Sequence, residues 1–144
     1  MVEQDTIKLL RECDAGIRMG ISSIDDVLGY VDSDRLKAML EEGKQDHEVL
    51  QSELQGLLAH YRDEGKEPNP IAKGMSMVKT NMKLGLGASD KIIADLMTDG
   101  CNMGVKSLSQ YLNQYEAADE KSKDIAKRLI RLEEQMAVDL RPWL

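Results

Sequence analysis

Gly16-Ile17-Arg18-Met19-Gly20-Ile21-Ser22-Ser23-Ile24 and Gly100-Cys101-Asn102-Met103-Gly104-Val105-Lys106-Ser107-Leu108 share both glycines, the methionine, a β-branched residue, a serine and a branched aliphatic in one register. Leu28 and Leu112 extend the match by a further turn. Each stretch lies within a longer apolar stripe whose members recur at steps of three and four, the period of one buried helical face. Ile7, Leu10, Ile17, Ile21, Ile24, Leu28 and Val31 form the first stripe; Ile93, Leu96, Met97, Met103, Leu108, Tyr111 and Leu112 form the second.

Working outward, Asp32-Ser33-Asp34 offers an N-cap side chain and first-turn carboxylates to a helix whose stripe is Leu36, Leu40, Gly43, His47, Leu50, Leu54 and Leu57. Two long helices joined so tightly must lie antiparallel. Asp63-Glu64-Gly65-Lys66-Glu67-Pro68-Asn69-Pro70 stops that helix, with Gly as a C-cap and two prolines that cannot continue it. A second pair begins at Ser89, turns at Ala117-Ala118-Asp119, continues on Ile125, Leu129, Leu132, Met136 and Leu140, and stops at Pro142. Leu36, Leu40, Gly43 and His47 align with Ile125, Leu129, Leu132 and Met136 at one constant offset, so the second pair reads as a copy of the first. The expected architecture is all-α, a single domain over residues 1–144, with hairpin 1 at about 5–63, a crossover at about 64–88 and hairpin 2 at about 89–141.

A connection of about 25 residues is far longer than the two to eight usual between bundle helices. It matches a chain that runs back along helices of about 45 Å, which would set the third helix parallel to the second and antiparallel to the first. Its residues 71–83 carry Ile71, Met75, Val78 and Met82 on one helical face, with Lys73, Lys79 and Lys83 beside them. Such a face is expected to pack along the bundle; a partner protein or an anionic membrane is the other home for it.

Composition narrows function mainly by exclusion. With no Phe, one Trp and nine Met, the core must be built from aliphatic residues and Met, which favours helices. A net charge of −7 argues against nucleic acid, whose binding rests on Lys and Arg. Cys13 and Cys101 lack any CxxC spacing and read as reduced, buried thiols. The start MVEQDTIKLL has no apolar signal core and no segment is long enough to span a bilayer, so a cytoplasmic protein without membrane contact is expected. No GxSxG, P-loop, GxGxxG after a strand or HExxH is present.

With two hairpins, a crossover and paired Gly-x-x-Met-Gly segments, the chain resembles the ferritin-like superfamily, specifically its uncharacterised bacterial branches. That resemblance implies a four-helix bundle and a di-iron or di-manganese centre, with a Glu from the first and third helices and a Glu-x-x-His from the second and fourth. Here the motif is degenerate. His47 is preceded three residues earlier by Lys44, Glu133 is followed by Met136 where the imidazole would stand, and Asp14 on the first helix matches Thr98 on the third. Asp14, His47 and Glu133 are the remaining metal candidates, too few for two divalent ions. An Asp14–His47 ion pair fixing two helices is expected in place of the centre. His60 and most of Glu41, Glu42, Glu133 and Glu134 are expected on solvated faces, and the tail Arg141-Pro142-Trp143-Leu144 as a frayed end.

Two glycines in each of two helix interiors cost up to about 1 kcal/mol apiece relative to Ala. The expectation is that Gly16, Gly20, Gly100 and Gly104 lie where the first and third helices cross closely; the alternative is a groove that admits a ligand or partner against bare backbone. The functional expectation is a non-enzymatic bundle without catalytic residues or cofactor that acts as a homo-oligomer or binds a protein partner. The alternative is a protein with one iron, manganese or zinc ion in a storage, oxidase or sensing role.

Overall fold

The computed structural model describes residues 2–63, 65, 66 and 89–144. Four long helices account for nearly all of them: α1 Val2–Leu28, α2 Asp34–His60, α3 Asp90–Gln114 and α4 Glu120–Leu140, followed by a 3₁₀ turn at Arg141–Trp143. No strand occurs among the described residues. The starts are fixed by short polar side chains that accept from the otherwise orphaned first-turn amides: Ser33 from Leu36 N, Ser89 from Ile92 N and Asp119 from Ser122 N. The expected crossover and its residues 71–83 lie outside the described residues.

Two apolar clusters give the helix directions. Ile24 and Val27 of α1 meet Leu36 and Leu40 of α2, Ile93 and Met97 of α3 and Met136 and Leu140 of α4 at one pole. At the other, Leu9 and Cys13 meet Leu54 and Leu58, Leu108, and Ile125 and Leu129. Hence α1 and α4 run one way, and α2 and α3 the other. α2 ends at one pole and α3 begins at the opposite one, an up-down-down-up order. Within the bundle α1 packs against α2, and α3 against α4; α1 also packs against α4 across the middle, while α2 and α3 stand apart.

The expected stripes are buried or half-buried, Met103 excepted. Met103 is 57% exposed and Leu58, not Leu57, is the fully buried residue near the end of α2. The tail is not frayed, because Trp143 packs against the cluster at its pole and the turn gives it a fixed exit. Cys13 and Cys101 are free and buried, as expected. No helix among the described residues is long and apolar enough to cross a membrane.

Candidate functional site

The centre of the bundle is organised by His47. Its Nδ1 lies 2.7 Å from the carbonyl oxygen of Gly43, one turn back on α2. A carbonyl can only accept, so Nδ1 carries hydrogen and donates. Its Nε2 lies 2.9 Å from Oε1 of Glu133 on α4. With Nδ1 committed, that contact holds one proton: an imidazolium facing a carboxylate, or a neutral imidazole accepting from a carboxylic acid. His47 is 1% exposed and Glu133 9%. Burial disfavours the imidazolium, but the hydrogen bond and charge of Glu133, the bond to Gly43 and the charge of Asp46 outweigh it, and the His47 pKa lies above its ordinary value.

Three glycines make this arrangement possible or border it. A Cβ on Gly20 of α1 would stand 2.5 Å from His47 Nε2 and 2.8 Å from its Cδ2, so the imidazole occupies the space a side chain would need. At Gly43 the same atom would meet Met136 Sδ at 3.1 Å, and at Gly104 it would sit 3.8 Å from Glu133 Oε2. Cys101 adjoins Glu133, and burial together with that carboxylate pushes its thiol pKa up. Burial, with Glu12 and Asp14, likewise pushes Cys13 up to about 12. Neither thiol supplies the thiolate that a nucleophile or metal ligand requires.

The expected Asp14–His47 pair does not form. Asp14 is fully buried, but it faces Arg18 Nε at 3.0 Å and accepts from Gln55 Nε2 at 3.2 Å and the Lys66 amide at 2.9 Å. The reason is register. Counting residues from the α1–α2 turn would set Asp14 level with His47, but the contacts put Gly20 beside His47 and Asp14 beside Gln55, about two helical turns further along. Of the four glutamates, the metal candidate Glu133 is buried and bonded to His47, whereas Glu41, Glu42 and Glu134, like His60, are exposed as anticipated.

These placements do not fit a dinuclear centre. Lys44, at the position of a motif carboxylate, is paired with Asp25 at 2.7 Å. Asp14 lies in another layer, and Thr98, its counterpart on α3, has a buried hydroxyl with no hydrogen-bond partner among the described residues. Among the described residues no group of three or more His, Cys, Asp or Glu side chains is placed to hold a metal ion.

The glycines depart from the expected close crossing. Beside the pair, between α1 and α3, lies a cavity of about 280 Å³ lined by all four repeat glycines and by Met19, Met97, Met103 and Met136. Among the described residues a Cβ on Gly100 would meet nothing within 4 Å, and one on Gly16 would touch Leu129 of α4 at 3.5 Å. The bare backbones therefore border a groove, because the tight packing of α1 is spent on α2 and α4. At one end of the groove Lys66 Nζ binds Glu12 Oε1 at 2.5 Å, close to Tyr111. Sequence reading missed this polar end, since Lys66 reaches it only through the turn that Gly65 makes at φ +87°. Comparison with protein-family models, curated proteins and solved structures gives no match to this chain.

Proposed function

We propose that this chain is a ferritin-like bundle that has lost its dinuclear centre and works as a non-enzymatic binding module, as a homo-oligomer or for a partner. One observation carries the reading. The histidine at the motif position has both ring nitrogens occupied, one by its own helix and one by Glu133, so a proton holds the place where a metal would bridge α2 and α4.

The helix order and a pair of matching clamps support the duplication within this reading. Asp90, the first residue of α3, accepts from the amides of Asp32 and Ser33 at 2.9 Å each, at the corner between α1 and α2. Thr6, early in α1, accepts from the amide of Asp119 at 2.8 Å, at the corner between α3 and α4, and neighbouring Asp5 accepts from Ala117 at 3.2 Å. Thr6 and Asp90 are equivalent in the same register that matches Gly16 with Gly100. Ser33 and Asp119 are both N-caps. Each hairpin thus uses the start of its first helix to hold the corner of the other, as a two-fold-related pair would.

The test is metal content. Protein purified without a tag from cells supplied with iron, manganese and zinc is expected to carry far less than one ion per chain. Near-stoichiometric metal that disappears in His47→Ala would overturn the reading.

A further inference from the structure

We propose that the cavity between α1 and α3 is a binding site for a small, mainly apolar molecule carrying one hydrogen-bond donor, which Glu133 receives. The inference deepens the binding-module reading and rests on it. Its first support is the glycines. Helical Gly costs up to about 1 kcal/mol against Ala, yet among the described residues only Gly20 of the four repeat glycines needs its missing Cβ, to clear His47. At Gly16, Gly100 and Gly104 a Cβ would find ordinary contact or open space. Internal packing leaves three costly residues unexplained, and all three face one cavity.

The second support is the chemistry of the walls. A volume of about 280 Å³ lies near the lower end of small-molecule pockets. Methionines supply polarizable, adaptable surface. On the floor the buried Glu133 carboxylate has Oε1 committed to His47 and the Cys101 thiol as a second hydrogen-bonding neighbour, while Oε2 lies toward bare Gly104; a carboxylate offers about four lone-pair sites, so it can take a further donor there. Both His47 nitrogens are used, and Lys66 is neutralised by Glu12. Among the described residues the cavity thus presents a buried acceptor and no cation without a counter-charge, in a chain of net charge −7. That combination favours a neutral donor such as an alcohol, phenol or indole over an anion.

The full chain, labelled with ¹³C at the methionine methyls, is titrated with indole and with 1-methylindole, which lacks the N–H. The expected result is a saturable shift of the Met19, Met97, Met103 and Met136 signals with indole, and affinity about ten-fold weaker for 1-methylindole, the loss of one hydrogen bond. In Gly100→Leu, whose side chain enters the open groove, indole binding is lost while the helical circular-dichroism melt stays at or above the parent temperature. No saturable shift, shifts confined to Met39, or equal affinity for the two probes overturns the inference. The two probes are compared on the unmutated chain, so that result stands whether or not Gly100→Leu folds. A metal-free protein that ignores indole sinks this site alone; stoichiometric metal sinks the reading beneath it.

Discussion

His47 and Glu133 share a single proton across 2.9 Å between α2 and α4, helices of different hairpins, with the far side of the imidazole anchored on Gly43. The pair joins the hairpins at mid-bundle. Removing one member leaves the other buried without its partner, so the contact specifies how the hairpins dock more than it adds net stability.

Truncating the acid is the direct check. Glu133→Ala is expected to lower stability by about 3 kcal/mol, a fall in Tm of roughly 10 °C for a chain of this size. His47→Leu combined with it should cost less than the two single changes together, because the double variant leaves no orphaned polar group. Additive losses in chemical denaturation would show that the two residues act independently.

The pair also makes stability depend on pH with a defined sign. The folded-state pKa of His47 is raised above the ordinary 6.5 despite burial, through Glu133, Gly43 and Asp46. The group therefore contributes fully below the unfolded value, and the contribution fades as pH rises through the elevated folded value. Among the described residues the facing groups are Glu133 on α4, Cys101 on α3, whose thiol stays protonated, and Asp46 on α2, while α1 presents Gly20. Urea unfolding followed upward from about pH 6 should show falling stability, and Glu133→Gln should abolish the slope. A flat profile in the parent protein would contradict the shared proton.

Gly20 should behave unlike the other repeat glycines. A Cβ there would stand 2.5 Å from a ring already fixed at both nitrogens, so the neighbour cannot retreat. Gly20→Ala is expected to cost about 1–3 kcal/mol from overpacking, against the smaller gain in helix propensity. In a His47→Ala background the same change should become neutral or stabilising. A melting temperature that falls equally in both backgrounds would separate the glycine from the histidine.

How far these features were legible in the sequence follows from the range of the interactions. The helices, the caps within Asp32-Ser33-Asp34 and at Ser89, and the up-down-down-up order rest on local periodicity and connection length and are readable; Asp119 reads only as part of a corner, and its capping role comes from the structure. His47 was recognised as a buried polar residue in need of a partner. The partner expected from the turn, Asp14, lies about two turns from the level of His47, because periodicity gives the face of a helix but not its height against a neighbour. Glu133 reads both as a metal candidate and as one of four glutamates mostly expected on solvated faces, and only the docking of α4 on α2 decides between the two. The four glycines were read as a crossing, whereas the close approach of α1 goes to α4, where Gly16 meets Leu129.

Gly65 offers a prediction about the exit from the first hairpin. At φ +87° it occupies the left-handed region, and a Cβ would run into the carboxylate of Asp14. That carboxylate cannot yield, being fully buried and held by Arg18, Gln55 and the Lys66 amide. Backbone strain alone costs an L-residue about 1–2 kcal/mol there. Gly65→Ala should therefore lose at least about 2 kcal/mol in denaturant unfolding, the clash adding to the strain. Asp14→Asn should lose stability by weakening the Arg18 contact while leaving the turn intact. If Gly65→Ala melts with the parent, the turn is not what holds Lys66 at the groove.

The two corner clamps allow the duplicated plan to be tested without reference to any other protein. Asp90 holds two amides of the first corner, and Thr6 with Asp5 holds two of the second. Each clamp satisfies corner donors that would otherwise lack partners, and a charged acceptor makes the stronger bond. Asp90→Ala is expected to cost about 1.5–3 kcal/mol and Thr6→Ala about 1 kcal/mol. Because the clamps sit at opposite poles and share no partner, the double variant should lose the sum within about 0.5 kcal/mol. Amide exchange should localise the damage: Asp90→Ala should speed exchange at Asp32 and Ser33, and Thr6→Ala at Asp119, each leaving the far corner protected. If either single change loosens both poles, the hairpins do not clamp one another as separate, equivalent units, and the two-fold plan fails.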